Sequence, residues 1–157
     1  MVTVTRSTEL EEFARDARLR FETGDVAWFE QTTAYGEVGG FGTAEEERAT
    51  GRDEILALTK AQIAEMHKTS GLDIVAPEAN AVPDDVMEGY VAGDVGWVVT
   101  HGRFTFEDGS WTANRIVSVL VRDPEDGGWK SVLTTSQVLV PNELLLPGSP
   151  LRTPAEA

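Results

Sequence analysis

Apolar positions along the chain recur at a helical period in the first third and at a period of two in the later part. Leu10, Phe13, Ala14, Ala17 and Phe21 follow the 3.6-residue repeat; Thr8 and Glu11 have the capping-box spacing at its start, and Gly24 closes it. Asp25 predicts the cap of a second, short helix reaching about Ala34, with Val26, Phe29 and Trp28 on its apolar side, before the glycine-rich stretch 36–42 turns the chain into a loop. A third helix is predicted from Gly51 to about Met66. Leu56, Ile63 and Met66 share its face, and Asp53 and Glu54 occupy the first turn, where acids complement the helix dipole. Beyond it the alternation becomes strand-like over 89–91, 95–106, 111–122 and 129–140, interrupted by turn residues at 93–94, 107–110 and 123–128. These connections are too short for crossover helices, so the strands are expected to pair as antiparallel hairpins. Residues 72–76 allow one more strand, and Pro77 and Pro83 bracket a looser segment.

Helices first and a meander afterwards is an α+β order, with three helices covering one face of a curved antiparallel sheet that encloses a cone. Gly96 and Gly102 are candidate bend positions, or Gly96 leaves room for a helix to pack. A sheet bent around helices leaves an apolar hollow suited to a small molecule. One domain is expected over 1–145, followed by a Pro-rich tail over 146–157 that carries Pro147, Pro150 and Pro154.

Charge and composition narrow the partners. Thirteen Lys and Arg against 27 Asp and Glu leave a net charge of −14 in 157 residues, a field that repels nucleic acid and anionic membranes. Cysteine is absent, which removes thiol nucleophiles, thiolate metal sites and disulfides. The two histidines, His67 and His101, lie far apart and lack the helical spacing of a zinc site, so no metal is expected. No dinucleotide or phosphate-binding glycine motif is present, and no cofactor is expected. The N-terminus lacks a basic stretch followed by an apolar one, and no apolar run approaches membrane-spanning length, so the expectation is a soluble cytoplasmic protein.

Several local strings form a recognisable set. Gly42, Thr43, Glu47 and Gly51 precede the third helix, Gly93-Asp94 and Trp97 open a long strand, and Asp108-Gly109 makes the next turn. Arg115, Gly127-Gly128-Trp129-Lys130 and Val140-Pro141-Asn142-Glu143 continue it. Together, over roughly residues 7–145, the chain resembles the SnoaL-like branch of the nuclear transport factor 2-like superfamily, the cone-shaped fold that also holds ketosteroid isomerase and polyketide cyclases. The resemblance implies a cofactor-independent site for a small apolar or oxygenated molecule, a homodimer, and, in the enzymes, an acid or base inside the cone. This chain departs from the pattern at Ala34-Tyr35-Gly36-Glu37-Val38, which lacks an Asp, and at Thr135 and Gln137, where similar sequences often carry His and Ser. The Gly-Thr string continues as Ala44-Glu45 where Asp-Pro is usual. The Asp–Arg–Asp set of limonene epoxide hydrolase has no counterpart.

Strand parity sorts the remaining candidates. Trp129, Ser131, Leu133, Thr135 and Gln137 alternate on one face of their strand, and Trp111, Ala113, Arg115, Val117 and Val119 on one face of theirs. Both sets contain the larger apolar run and are expected on the concave side. Arg115 there either grips a ligand oxygen with Gln137 or pairs with Glu47 or Glu37 within the fold. His101 is a proton-transfer candidate if Trp97, Val99 and Arg103 also face inward, and belongs to the outer face or a dimer contact if Gly96, Val98, Thr100 and Phe104 do. Tyr35 and Glu37 follow the second helix, where Glu37 either reaches the mouth of the cone as an acid–base group or is a solvated loop acid. Trp28, Trp97, Trp111 and Trp129 either wall a ligand or fill the core. The expected function is therefore a pocket protein, an isomerase or cyclase if catalytic, with a noncatalytic binding or dimeric interaction module as the alternative.

Overall fold

The computed structural model describes residues 1–42, 47–69, 86–105 and 111–138, with the side chains of 66–69, 103–105, 111–113 and 138 outside that description. The segment 72–76, Pro77, Pro83, Thr43, the Asp108-Gly109 turn and the Pro-rich tail thus lie outside the described residues.

Ser7, in extended conformation, accepts a hydrogen bond from the Leu10 backbone N–H and starts α1 (Thr8–Thr23), which ends at Gly24 in the left-handed region, φ 76°. The cap therefore falls one residue before Thr8. Glu11 is drawn away from a capping-box role by Arg6, whose Nε donates to it at 2.6 Å. Asp25 caps α2 (Val26–Thr32) by accepting from the Trp28 N–H, as the sequence predicts. The helix stops short of Ala34 because Thr33 turns extended to bridge Ser131. Gly51, at φ 87°, precedes α3 (Arg52–Thr69), and the Glu54 carboxylate accepts from the Thr50 N–H at its start.

The strands are β1 (Thr5–Arg6), β2 (Gly39–Phe41), β3 (Arg48–Thr50), β4 (Val86–Ala92), β5 (Val95–Thr105), β6 (Trp111–Arg122) and β7 (Trp129–Val138). Among the described residues they form one seven-stranded sheet in the order β1-β4-β5-β6-β7-β2-β3. One pairing departs from the antiparallel expectation, which β4 to β7 otherwise meet. The glycine-rich stretch read as a loop contributes β2, which pairs in parallel with β7, and the β2–β3 hairpin extends the sheet edge. The register between β6 and β7 also shifts at Val119/Leu120, leaving Val132 as the extra residue of a bulge.

Leu10 and Ala14 of α1 seal the core against Val98, Leu120 and Trp129, with Phe13, Met87 and Val91 packed around them. The closeness of α1 explains two strand glycines. A Cβ on Gly96 would sit 2.4 Å from Leu10 Cδ1, and one on Gly89 would sit 2.5 Å from the Ser7 carbonyl. Gly96 therefore makes room for a helix, which is the second of its two sequence readings. The main helix contacts fall on either side of the sheet's middle: α1 lies on β4 and β5, α2 on β7, and α3 on β2 and β3.

Candidate functional site

Directly paired residues across a ladder project from the same face, so the buried positions orient the whole sheet. Val98 and Leu120 are 3% and 0% exposed and face α1. Gly96 and Thr100 on β5, and Ser118 and Ile116 on β6, share that helix-facing side. Trp97, Val99 and His101 consequently lie on the outer face, together with Arg115, Val117 and Val119. This reverses the concave assignment of the Arg115 row. The bulge does the same to half of β7: Trp129 and Ser131 face the helices, but Leu133, Thr135 and Gln137 pair with Val119, Val117 and Arg115 and face outward.

The helix-facing side brings together a group that parity reasoning passed over. The Ser118 hydroxyl lies 3.0 Å from that of Thr134, which lies 3.1 Å from the hydroxyl of Ser131. The bulge is what makes this line possible, since without it Ser131 and Thr134 would project from opposite faces. Three hydroxyls carry three hydrogens and the two internal bonds use two of them, so the chain can present one donor, and several lone pairs, to a ligand oxygen. All three are half-buried, as is Ile116 beside them, whereas the positions under α1 are closed. The visible signal was Asn114, Ile116, Ser118 and Leu120 alternating within a Val-rich strand, discounted because the other parity held the longer apolar run.

The other candidates are dispersed. Tyr35 is 85% exposed, with its ring over the Arg52 guanidinium at 4.4 Å, and Glu37 is exposed in the turn beyond it. Arg52 in turn donates to the Glu30 and Thr33 carbonyls and so caps the end of α2. Trp28 belongs to an aromatic cluster between α1 and α2, 5.1 Å from both Phe13 and Phe29. Trp129 is buried beneath the Arg122 guanidinium, and Trp97 stacks on Tyr90 on the outer face at 5.8 Å. The Trp111 side chain lies outside the described residues. Gly42 donates its N–H to the Glu47 carbonyl at 2.7 Å, and a Cβ on it would collide with the Glu47 side chain, so these two positions close the β2–β3 hairpin. Gly51 supplies the left-handed turn into α3.

Arg115 pairs with neither Glu37 nor Glu47. Its Nε donates to His101 Nε2 at 2.9 Å, directly across the β5–β6 ladder on the outer face, with Gln137 next in the row. An accepting ring nitrogen carries no hydrogen, so the imidazole holds its own on Nδ1. Carboxyl groups held below their ordinary range belong to surface ion pairs: Glu9 beside Arg122, Glu11 beside Arg6, and Asp126 beside Lys130. Among the described residues the least exposed ion pair is Arg18 with Glu22, 2.9 Å apart on α1. A separate groove of about 380 Å³ lies between α2 and α3, lined by Glu30, Arg52, Asp53, Leu56, Ala57 and Lys60. Lys60 and Glu30 close on each other across it at 2.9 Å, so it serves helix packing. Among the described residues no group of three or more His, Asp or Glu is placed to hold a metal, and no helix is long and apolar enough to cross a membrane.

Three helices against a curled sheet define an α+β fold of the nuclear transport factor 2-like kind. Within it, this chain belongs to the SnoaL-like domain family, whose model matches residues 10–136. Similar solved structures include a cystatin-like fold protein from Burkholderia xenovorans, at 16% identity and TM-score 0.60 over 90% of this chain and 99% of that one. An NTF2-like protein of unknown function from Pseudomonas putida is 14% identical, with TM-score 0.58 over 95% of this chain and 100% of that one. A proposed dehydratase of the NTF2-like family from Streptomyces avermitilis is 16% identical, with TM-score 0.53 over 78% of this chain and 87% of that one. At such identities the likeness carries the fold alone. No curated protein matches the chain.

Proposed function

We propose that this SnoaL-like domain binds a small, largely apolar molecule carrying a carbonyl, hydroxyl or ether oxygen, held over the helix-facing side of β6 and β7. The observation that carries the reading is the half-buried Ser118–Thr134–Ser131 hydroxyl chain, on the face that the helices otherwise seal. Hydroxyls are neutral donors and acceptors, matched to a neutral oxygen; a ligand anion would call for a guanidinium, and Arg115 stands on the other face. Val98 and Ile116, on the same face as Ser118, supply the apolar wall.

Binding is favoured over proton-transfer catalysis. An isomerase or cyclase needs an acid or base against the reacting carbon, whereas Tyr35 and Glu37 are exposed beyond α2 and His101 is on the outer face. The half-buried apolar outer face supports a homodimer as the assembled form.

Native mass spectrometry of protein purified from its host extract, followed by denaturing extraction, tests the reading. The expected result is a neutral oxygenated molecule that co-purifies with wild type and with Glu37→Gln and is depleted in the Ser118→Ala/Thr134→Val variant. A ligand retained by that double variant, or no bound molecule and no thermal shift with ketone-bearing polycyclic compounds, overturns it.

A further inference from the structure

We propose that Asn114 is a second polar anchor of the candidate pocket, and that the molecule held there is elongated and neutral, with an oxygen function at each end. This rests on the binding reading above and adds the ligand's length and its second point of recognition.

Asn114 lies inside β6, followed by positions that are mainly Val, Ile and Leu. Asn is among the residues a strand tolerates least, because its amide competes for backbone hydrogen bonds and packs poorly on a pleated surface. Arg115 faces outward, so Asn114 projects from the helix-facing side, in one cross-strand row with Gly102. There it is half-buried, and its side chain forms no hydrogen bond among the described residues. A half-buried amide with no partner, at a strand position that Val would fill better, does nothing for the fold. It stands on the face that carries the hydroxyl chain.

Register sets the distance. Val98, Ser118 and Thr134 form one row, Thr100, Ile116 and Ser136 the next, and Gly102 and Asn114 the third. Four residues of strand separate Ser118 from Asn114, so the two polar ends lie about 13 Å apart, with Ile116 between them. Gly102, directly across from Asn114, places no side chain over it. The main helix contacts fall on strands other than β6, which leaves the strip between the anchors to a flat or extended molecule.

Both anchors are uncharged. The hydroxyl chain presents one donor and several lone pairs, and the amide presents N–H donors and a carbonyl acceptor, so each end suits a ketone or hydroxyl oxygen. Neither end favours a carboxylate, which would call for a cation. A ligand with one oxygen function leaves one anchor unpaired. A stiff ligand with two engages both without the cost of ordering a flexible chain.

Calorimetric titration of the full chain with two rigid probes tests this: biphenyl hydroxylated at both para positions, and biphenyl hydroxylated at one. Wild type should bind the doubly hydroxylated probe about three- to tenfold more tightly than the other. Asn114→Val should bind the two probes within about twofold of each other, while thermal melting by circular dichroism places it at or above wild type in stability. Asn114→Thr, which also suits a strand and keeps a hydroxyl, should retain part of the preference. Ser118→Ala/Thr134→Val should weaken both probes. Equal binding of the two probes by wild type, or a preference that survives Asn114→Val, overturns the second anchor; the hydroxyl-chain reading then stands or falls separately on the Ser118→Ala/Thr134→Val result. Binding of neither probe by wild type overturns the two-ended ligand, and the co-purified molecule decides the pocket reading on its own.

Discussion

The two faces of the central sheet carry similar apolar alternation and have opposite fates. On the helix-facing side Val98 and Leu120 are sealed under α1, and two glycines, Gly89 and Gly96, stand where a side chain would collide with that helix. On the outer side Trp97, Val99, Val117 and Val119 are bulkier as a row and only half-buried. Close approach of a helix favours small residues, so the sealed face is poorer in large side chains than the open one. A β-strand's richer apolar parity therefore marks a surface to be covered, and whether a helix or another molecule covers it is a separate matter.

Paired truncation on the two faces has the largest expected effect. Leu120→Ala should cost about 2–5 kcal/mol in urea unfolding, while Val119→Ala, its outward neighbour, should cost well under half of that. Equal losses would mean that the outer face is as tightly packed as the core. Gly96→Val should destabilise by about 1–3 kcal/mol, because its Cβ meets Leu10 and strand propensity, which favours Val, cannot offset the overlap. A neutral or stabilising result would show that α1 can lift from β5. Ser118→Ala should leave unfolding within about 1 kcal/mol of wild type and weaken ligand binding by an amount on the order of 0.5–1.5 kcal/mol, measured by calorimetry with the co-purified molecule. The smallest effect belongs to the rim. Arg122 holds the Glu9 carboxyl below its ordinary value of 4.5, so the pair's contribution is present above that value and is lost as pH falls through the lowered one. Being largely exposed, it is worth less than about 1 kcal/mol, and the stability gap between wild type and Glu9→Gln should close on acidification below pH 4.5.

Much of the scaffold was legible locally. The 3.6-residue stripe of α1, its stop at Gly24, the Asp25 cap and the long β5–β6–β7 meander need only short-range chemistry, and all are present. The family strings were legible too, and the match over residues 10–136 bears out that resemblance. What escaped was long-range or a matter of one residue. β2 is three residues long and glycine-rich, and becomes a strand only because β7 offers it a parallel edge. Ser7 outcompetes Thr8 as the helix cap because its N–H is held by the Gly89 carbonyl, on a strand more than 80 positions away. The candidate site was the least legible part. Arg115 and His101 do come together, but on the outer face, and the hydroxyl chain depends on the unpaired residue at Val132.

Periodicity, turn residues and composition act within a few residues or over the whole chain, so the three helices, the β5–β6–β7 meander, the α+β class, the acidic field and the absence of thiol chemistry could be read from the sequence alone. Only the tertiary structure decided which face of each strand became the inside. Alternation is symmetric about the plane of a sheet, and that symmetry is broken by where α1 lands, by the room that Gly89 and Gly96 leave for it, and by one bulge that turns half of β7 over.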